Sequence, residues 1–137
     1  MSRIEELLDA PYWVIDILPE QVPAGAPGQY FTIEDHLLKH RILKIKQKHI
    51  DVILKLNCYH AIEMEDVKNP APEQIEAVMK DRYVYIMVGG AMILSEPDDT
   101  CMTIFNPDGP LLDLLKVLAA SEGLFLWQPP QSPAYGS

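Results

Sequence analysis

Two histidines, His36 and His40, stand four residues apart in a segment whose pattern predicts a helix. Imidazoles at that spacing lie on one helical face and can bind one metal ion together. The sequence lacks the glutamate of an HExxH motif, however, and it defines no third ligand. Surface histidines are therefore the simpler interpretation, and we predict neither a metal nor a cofactor.

A thiol beside an imidazole is the minimum arrangement for a nucleophilic cysteine, and Cys58 lies two residues from His60. The alternating pattern around them predicts a strand, in which such side chains point in parallel rather than toward each other. We therefore expect Cys58 to be a core residue. Cys101, the second cysteine, lacks CxxC spacing with the first, and both are predicted to be reduced and packed.

Paired acids could serve as general acid and base or bind a cation. Asp98 and Asp99 follow a proline in a predicted turn, where aspartate bonds nearby backbone amides. The acidic group from Glu63 to Asp66 opens a predicted polar loop, and Gly89-Gly90 lacks the lysine and further glycines of a phosphate-binding loop. No catalytic residue is predicted, so the sequence leaves activity open but favours a protein that is not an enzyme.

The least random feature is a basic segment from Lys39 to Lys48, which holds five of the 11 Lys and Arg residues. The net charge of the chain is −9, so the rest of it carries −14. The net negative charge of the chain disfavours binding to nucleic acid, and the basic segment contains no aromatic residue on which a base could stack. The simplest interpretation of the basic segment is a solvated helix face. The sharper interpretation is a surface that binds an acidic protein or a second copy of this chain. The candidate partner-binding residues are Lys39, Arg41, Lys44 and Lys48.

A proline- and glycine-rich loop, residues 19 to 29, is flanked by aromatic residues that could anchor a partner or a ligand. The alternative function is therefore a small-molecule-binding protein or small enzyme whose pocket lies between the sheet and this loop. The candidate pocket residues are Tyr12, Trp13, Tyr30, His36 and His60.

Local patterns predict the elements that would position these residues. Four helices are expected at 2–9, 32–48, 73–80 and 110–122, and about six strands at 12–18, 50–60, 83–88, 91–95, 100–105 and 124–127. Gly89-Gly90 and the turn at 96–99 join the last three strands before the final helix into an antiparallel meander. The predicted fold is α+β, with one mixed, mainly antiparallel sheet and the helices packed on it.

With 137 residues, the chain is expected to form one domain over residues 1 to 127, followed by a proline-rich tail over 128 to 137 that contains a PxxP pattern at Pro130–Pro133. The longest apolar stretches fall far short of the roughly 20 residues that span a bilayer, and the N-terminus does not resemble a signal peptide. We therefore expect a cytoplasmic protein without a membrane partner. The leading functional hypothesis is a protein-interaction or regulatory module that binds another protein or itself.

Overall fold

The strands of this chain pair into one antiparallel sheet in a computed structural model that describes residues 2 to 131. Within that range there are five helices and seven strands, which confirms the predicted α+β class. The PxxP pattern extends beyond residue 131, so it lies outside the described residues, as does most of the tail. None of the helices between residues 2 and 131 is long and apolar enough to cross a bilayer.

The elements follow one another as helix, strand, two helices, a short hairpin, a helix, a three-strand meander, a helix and a strand. The helices are α1 (Arg3–Leu8), α2 (Tyr30–His40), α3 (Ile42–Tyr59), α4 (Pro72–Asp81) and α5 (Gly109–Ser121). The strands are β1 (Tyr12–Asp16), β2 (Glu63–Met64), β3 (Val67–Lys68), β4 (Val84–Val88), β5 (Ala91–Ser95), β6 (Met102–Phe105) and β7 (Phe125–Trp127). Their order across the sheet is β3-β2-β4-β5-β6-β1-β7.

Several local predictions are confirmed because short-range chemistry decides them. The Ser2 hydroxyl accepts the Glu5 backbone N–H at 3.2 Å and caps α1. The β4–β5–β6 meander pairs in the predicted order. After α5, Gly123 adopts a φ of +73°, which lets the Leu124 N–H bond back to the Ala119 carbonyl at 2.9 Å and ends the helix.

The predicted strand over residues 50 to 60 is wrong, because Ile50 to Tyr59 form the second half of helix α3. The alternation of Ile50 and Val52 suggested a strand, but Ile53 is also fully buried. Neighbours in a strand face opposite sides of the sheet, whereas the neighbours Val52 and Ile53 both fit the buried stripe of a helix. The helical stripe continues to Leu56, which is also inaccessible to solvent.

The predicted helix over residues 32 to 48 is divided into α2 and α3 at Arg41, whose φ of −129° and ψ of 2° interrupt the helical backbone. The two helices are therefore separate elements. The predicted exposed basic face also needs correction, since Lys46 lies in the core with a relative exposure of 1%. The other four basic residues of that segment are exposed.

The predicted polar loop after α3 contains a two-strand hairpin, β2–β3, which extends the sheet to seven strands. Its turn residues Glu65 and Asp66 both have positive φ angles, 51° and 65°, as a two-residue hairpin turn requires. The usual sequence of such a turn is Asn-Gly, so the Glu-Asp sequence here did not indicate a hairpin. The Arg82 guanidinium donates to the Glu65 carboxylate at 2.6 and 2.7 Å across this end of the sheet.

The two faces of the sheet are covered unequally. Side chains from α3, α4 and α5 pack with one sheet face in the main core, around residues such as Ile53, Ile93 and Leu115. A second, small cluster joins Leu7 of α1 to Met92 and Phe105. Helix α2 belongs to neither core, since none of its residues is buried.

Candidate functional site

A cavity of about 390 Å³, here called the loop cavity, lies beside the end of β1. Most of the 20–28 segment forms one wall, and Tyr30 and Phe31 at the start of α2 contribute another. Asp16 of β1 and Trp127 of β7 line it from the sheet, since β1 and β7 are paired neighbours. The predicted pocket between the sheet and the proline-rich loop therefore has a counterpart in the structure.

Asp16 is the half-buried carboxylate of the loop cavity. Its Oδ1 accepts the Ile17 backbone N–H at 2.7 Å. Burial raises the pKa of Asp16, and the negative charges of Asp99 and Glu34 raise it further, although backbone N–H groups oppose them. Within residues 2 to 131 no Lys, Arg or His side chain lies within 4.0 Å of this carboxylate. Asp16 thus accepts backbone hydrogen bonds but has no ion-pair partner among the described residues.

Two aromatic residues of the loop cavity, Tyr30 and Trp127, are held by hydrogen bonds. The Tyr30 hydroxyl donates to the Glu34 carboxylate at 2.7 Å, and this bond is the main reason that the pKa of Tyr30 is raised to about 12. The Trp127 indole N–H donates to the Leu18 carbonyl at 3.0 Å. The rings of Tyr30 and Phe31 meet edge to face, with their centroids 5.3 Å apart.

The candidate pocket residues do not form one group. Tyr30 lines the loop cavity. Tyr12 instead packs on Phe105, with ring centroids 5.9 Å apart, and His60 lines a different cavity beside the β4–β5 turn. Trp13 is half-buried, and neither it nor His36 lines the loop cavity.

Sequence reasoning missed Asp16 and Trp127 as pocket residues. Asp16 carries a usable signal, because it is a lone carboxylate at the end of an apolar strand (YWVID). Trp127 has no local signal, since only the pairing of β1 with β7 brings the C-terminal strand to this place.

A second cluster is polar and lies inside the core, between α3 and β5. The Lys46 Nζ atom is 2.9 Å from His49 Nδ1 and 3.2 Å from Ser95 Oγ. Lys46 has a relative exposure of 1%, and His49 and Ser95 are fully buried. Because an ammonium group can only donate, His49 Nδ1 must accept when Lys46 is charged, which places the proton of the neutral ring on Nε2.

Burial controls the charge of both basic groups in this cluster. Desolvation lowers the pKa of Lys46 to about 8, against the nearby acids, of which Asp99 contributes most. Desolvation and then the Lys46 charge lower the pKa of His49 to about 3, while the Thr100 backbone opposes them. His49 is therefore neutral at pH 7, and its Nε2 has no hydrogen-bond partner of good geometry within residues 2 to 131.

An amine beside a hydroxyl can in principle activate a serine nucleophile. Ser95 and Lys46 are inaccessible to solvent, however, so this pair offers no place for a substrate. The cluster acts as a polar contact that joins α3 to the end of β5.

Cys101 does not have the surroundings of an activated nucleophile. Burial and the charge of Asp99 raise the pKa of Cys101, so its thiol stays protonated. Cys58 was predicted to be packed, and this is wrong, since it is exposed in the last turn of α3. The rings of His36 and His40 are tilted by 48° with their centroids 4.7 Å apart, and no group of three potential metal ligands occurs between residues 2 and 131.

The candidate partner-binding residues all lie on the surface of α2, α3 and the Arg41 junction between them. Lys39 forms an ion pair with Asp35 at 2.8 Å within α2. Arg41, Lys44 and Lys48 make no salt bridge among the residues that the structure describes.

Comparison with known proteins finds no relative. The chain matches no protein-family model, no curated protein and no solved structure. Its function must therefore be argued from the loop cavity, the buried cluster and the exposed surfaces.

The buried lysine leads to a testable pH dependence. Because the pKa of Lys46 is about 8 in the folded chain and 10.5 ordinarily, the unfolded state holds one extra proton between these values. Stability from this group therefore rises with pH through that window. Relative to Lys46→Met, the wild type should gain on the order of 2 kcal/mol in unfolding free energy between pH 8 and 10.5.

Urea unfolding of both proteins across that pH window measures the gain. Alkaline effects of the raised Cys101 and Tyr30 pKa values are present in both proteins and cancel in the difference. Two parallel stability curves would contradict the lowered pKa of Lys46.

Proposed function

We propose that this chain is a protein-interaction module that self-associates through residues 30 to 48, here called the α2–α3 arm. The observation that carries the proposal is that α2 has no buried residue, although five of its eleven residues are apolar or aromatic. They are Tyr30, Phe31, Ile33, Leu37 and Leu38. A helix with an apolar side normally buries it, so α2 is typical of an element that is covered in an assembly.

The exposed apolar surface of the arm is large for one short segment. Phe31 is 81% exposed, Ile33 52% and Leu43, at the start of α3, 75%. Single exposed apolar residues are common on protein surfaces, but a concentration of them in one segment supports an interaction site.

The charges of the α2–α3 arm and of the rest of the chain favour a second copy of the chain as the binding partner of the arm. The arm presents Arg41, Lys44 and Lys48 without ion pairs among the described residues. The chain outside the 39–48 segment carries −14 and exposes acids such as Glu6 of α1 and Asp66 of the β2–β3 turn. Two copies can therefore each place a basic arm against the acidic surface of the other, which favours association and suppresses the alternative pairing of two arms.

The oligomeric state of the purified chain tests this proposal. Wild type should run as a dimer in size-exclusion chromatography with light scattering, and salt should weaken it because the contacts are charged. The double variant Lys44→Glu, Lys48→Glu should be monomeric at the same concentration. The matched control is Lys80→Glu, Lys116→Glu, which makes the same change in net charge at exposed positions of α4 and α5.

A dimeric control beside a monomeric arm variant would support the α2–α3 arm as the interface. A wild type that remains monomeric at high protein concentration would overturn self-association. Equal dissociation of both double variants would show a general charge effect and would remove the arm from the proposal.

Ligand binding in the loop cavity is the second candidate function, and the Asp16 carboxylate, which lines the cavity without an ion-pair partner among the described residues, is the observation that favours it. It does not require catalysis, and we propose no reaction. For either function we expect a cytoplasmic setting, in which Cys58 and Cys101 would remain reduced.

A further inference from the structure

We propose that the loop cavity binds an organic cation, an alkylammonium or quaternary ammonium group, with Asp16 as its counter-charge and aromatic rings as its walls. This inference rests on the second proposed function, ligand binding in the loop cavity, and does not require self-association, although Tyr30 and Phe31 belong to both the cavity and the α2–α3 arm. It specifies the chemical class of the ligand that the cavity can take.

The side chains that line the loop cavity carry negative charge. Asp16 and Glu20 line the loop cavity, and no Lys, Arg or His is among the described residues that do so. Glu34, bonded to the Tyr30 hydroxyl, adds a further carboxylate behind the aromatic wall. Such a site repels anionic ligands, whereas a cation would compensate the half-buried Asp16 charge that the fold leaves unpaired.

Aromatic rings form part of the lining of the loop cavity. Tyr30, Phe31 and Trp127 all line the loop cavity. The negative faces of such rings attract ammonium groups, and several rings around one cation are the usual means of recognising quaternary ammonium ligands. Asp16 and Glu20 are the only carboxylates among the described residues of the lining, too few to supply the six or more oxygen ligands of a calcium ion, so the lining fits an organic cation better.

The loop cavity has the size of a small-ligand site, and one of its walls is a loop. The volume of about 390 Å³ is at the lower end of the range that small-ligand sites occupy, roughly 300 to 1,000 Å³. The 20–28 wall contains two prolines and two glycines in nine residues and makes few backbone hydrogen bonds, so it can adjust to a bound group. The hydrogen bond from Trp127 to the Leu18 carbonyl ties the other wall to the end of β1.

Nuclear magnetic resonance titration of the ¹⁵N-labelled full chain with choline tests the proposal directly. We expect saturable shifts of the Trp127 indole N–H and of the Gly25 and Gly28 amides at millimolar choline. The neutral carbon isostere of choline, 3,3-dimethylbutan-1-ol, has the same shape without the charge and should cause much smaller shifts. Asp16→Asn should weaken choline binding about tenfold or more.

Asp113→Asn is the matched control, since it removes an exposed carboxylate on α5 and should leave choline binding unchanged. Unchanged spectra outside the cavity show that Asp16→Asn is folded. Equal binding of choline and its neutral isostere would overturn the proposal and indicate an apolar pocket. Equal choline affinity in wild type and Asp16→Asn, or no shift at millimolar choline, would also overturn it.

Discussion

A His49→Gln variant should gain stability relative to wild type as the pH falls from 6.5 toward 3, by on the order of 4 kcal/mol over the whole range. The folded chain holds His49 neutral because the ring is fully buried and its Nδ1 faces the Lys46 ammonium at 2.9 Å. The unfolded chain has no such restriction and takes up a proton near the ordinary pKa of 6.5.

The sign follows from proton binding. Between pH 6.5 and 3 the unfolded state binds a proton at His49 that the folded state does not bind. Each fall of one pH unit therefore lowers the unfolding free energy of the wild type by about 1.4 kcal/mol. Glutamine does not titrate, and its side-chain oxygen can still accept the Lys46 hydrogen bond. The acid-dependent loss that His49 causes is therefore absent from the variant.

Urea unfolding of wild type and His49→Gln at a series of pH values measures this difference. His36→Gln, which removes an exposed imidazole on α2, is the control for the substitution itself. If the difference between wild type and His49→Gln is the same at pH 7 and in acid, His49 is not held neutral by the fold.

An Ile53→Ala variant should lose about 2 to 5 kcal/mol of unfolding free energy, because a fully buried isoleucine leaves a cavity in the core. The neighbouring variant Leu54→Ala should lose less, since Leu54 is only partly buried beside that core. This order distinguishes helix from strand. In the alternating strand pattern Leu54 would face the core and Ile53 the solvent.

Denaturant unfolding of both variants at pH 7 gives the comparison, with Tyr59→Ala as the control at the exposed C-terminal end of the same helix. The control should change stability by no more than about 0.5 kcal/mol. A larger loss for Leu54→Ala than for Ile53→Ala would contradict the helical register of α3.

The sequence alone determined the parts of the fold that depend on near neighbours. The Ser2 cap, the Gly123 helix end and the β4–β5–β6 meander are short-range features, and each was predicted in place. The loop that forms a wall of the loop cavity was also predictable, because its prolines and glycines exclude regular structure. The exposed basic residues at 41, 44 and 48 could be read from composition and spacing in the same way.

Only the tertiary structure decided the state of the segment after Arg41. Residues 50 to 58 satisfy a strand pattern and a helix pattern together, and packing of Ile53 against the main core selects the helix. Packing of α3 on the core also turns the Lys46 side chain inward. There its ammonium group forms hydrogen bonds with His49 and with Ser95, which lies 49 residues later in the sequence. A charge pattern cannot show this, because a lysine on an amphipathic helix is normally solvated.

The loop cavity divides in the same way between local and long-range causes. Its loop and Tyr30 lie close together in the sequence, but Trp127 reaches Leu18 across 109 residues through the pairing of β1 with β7. Strand order depends on which apolar faces cover one another in the folded chain, and local propensity does not encode it. Local sequence therefore determined the loop and its aromatic flank, while sheet topology placed Asp16 and Trp127 together and created the cavity between them.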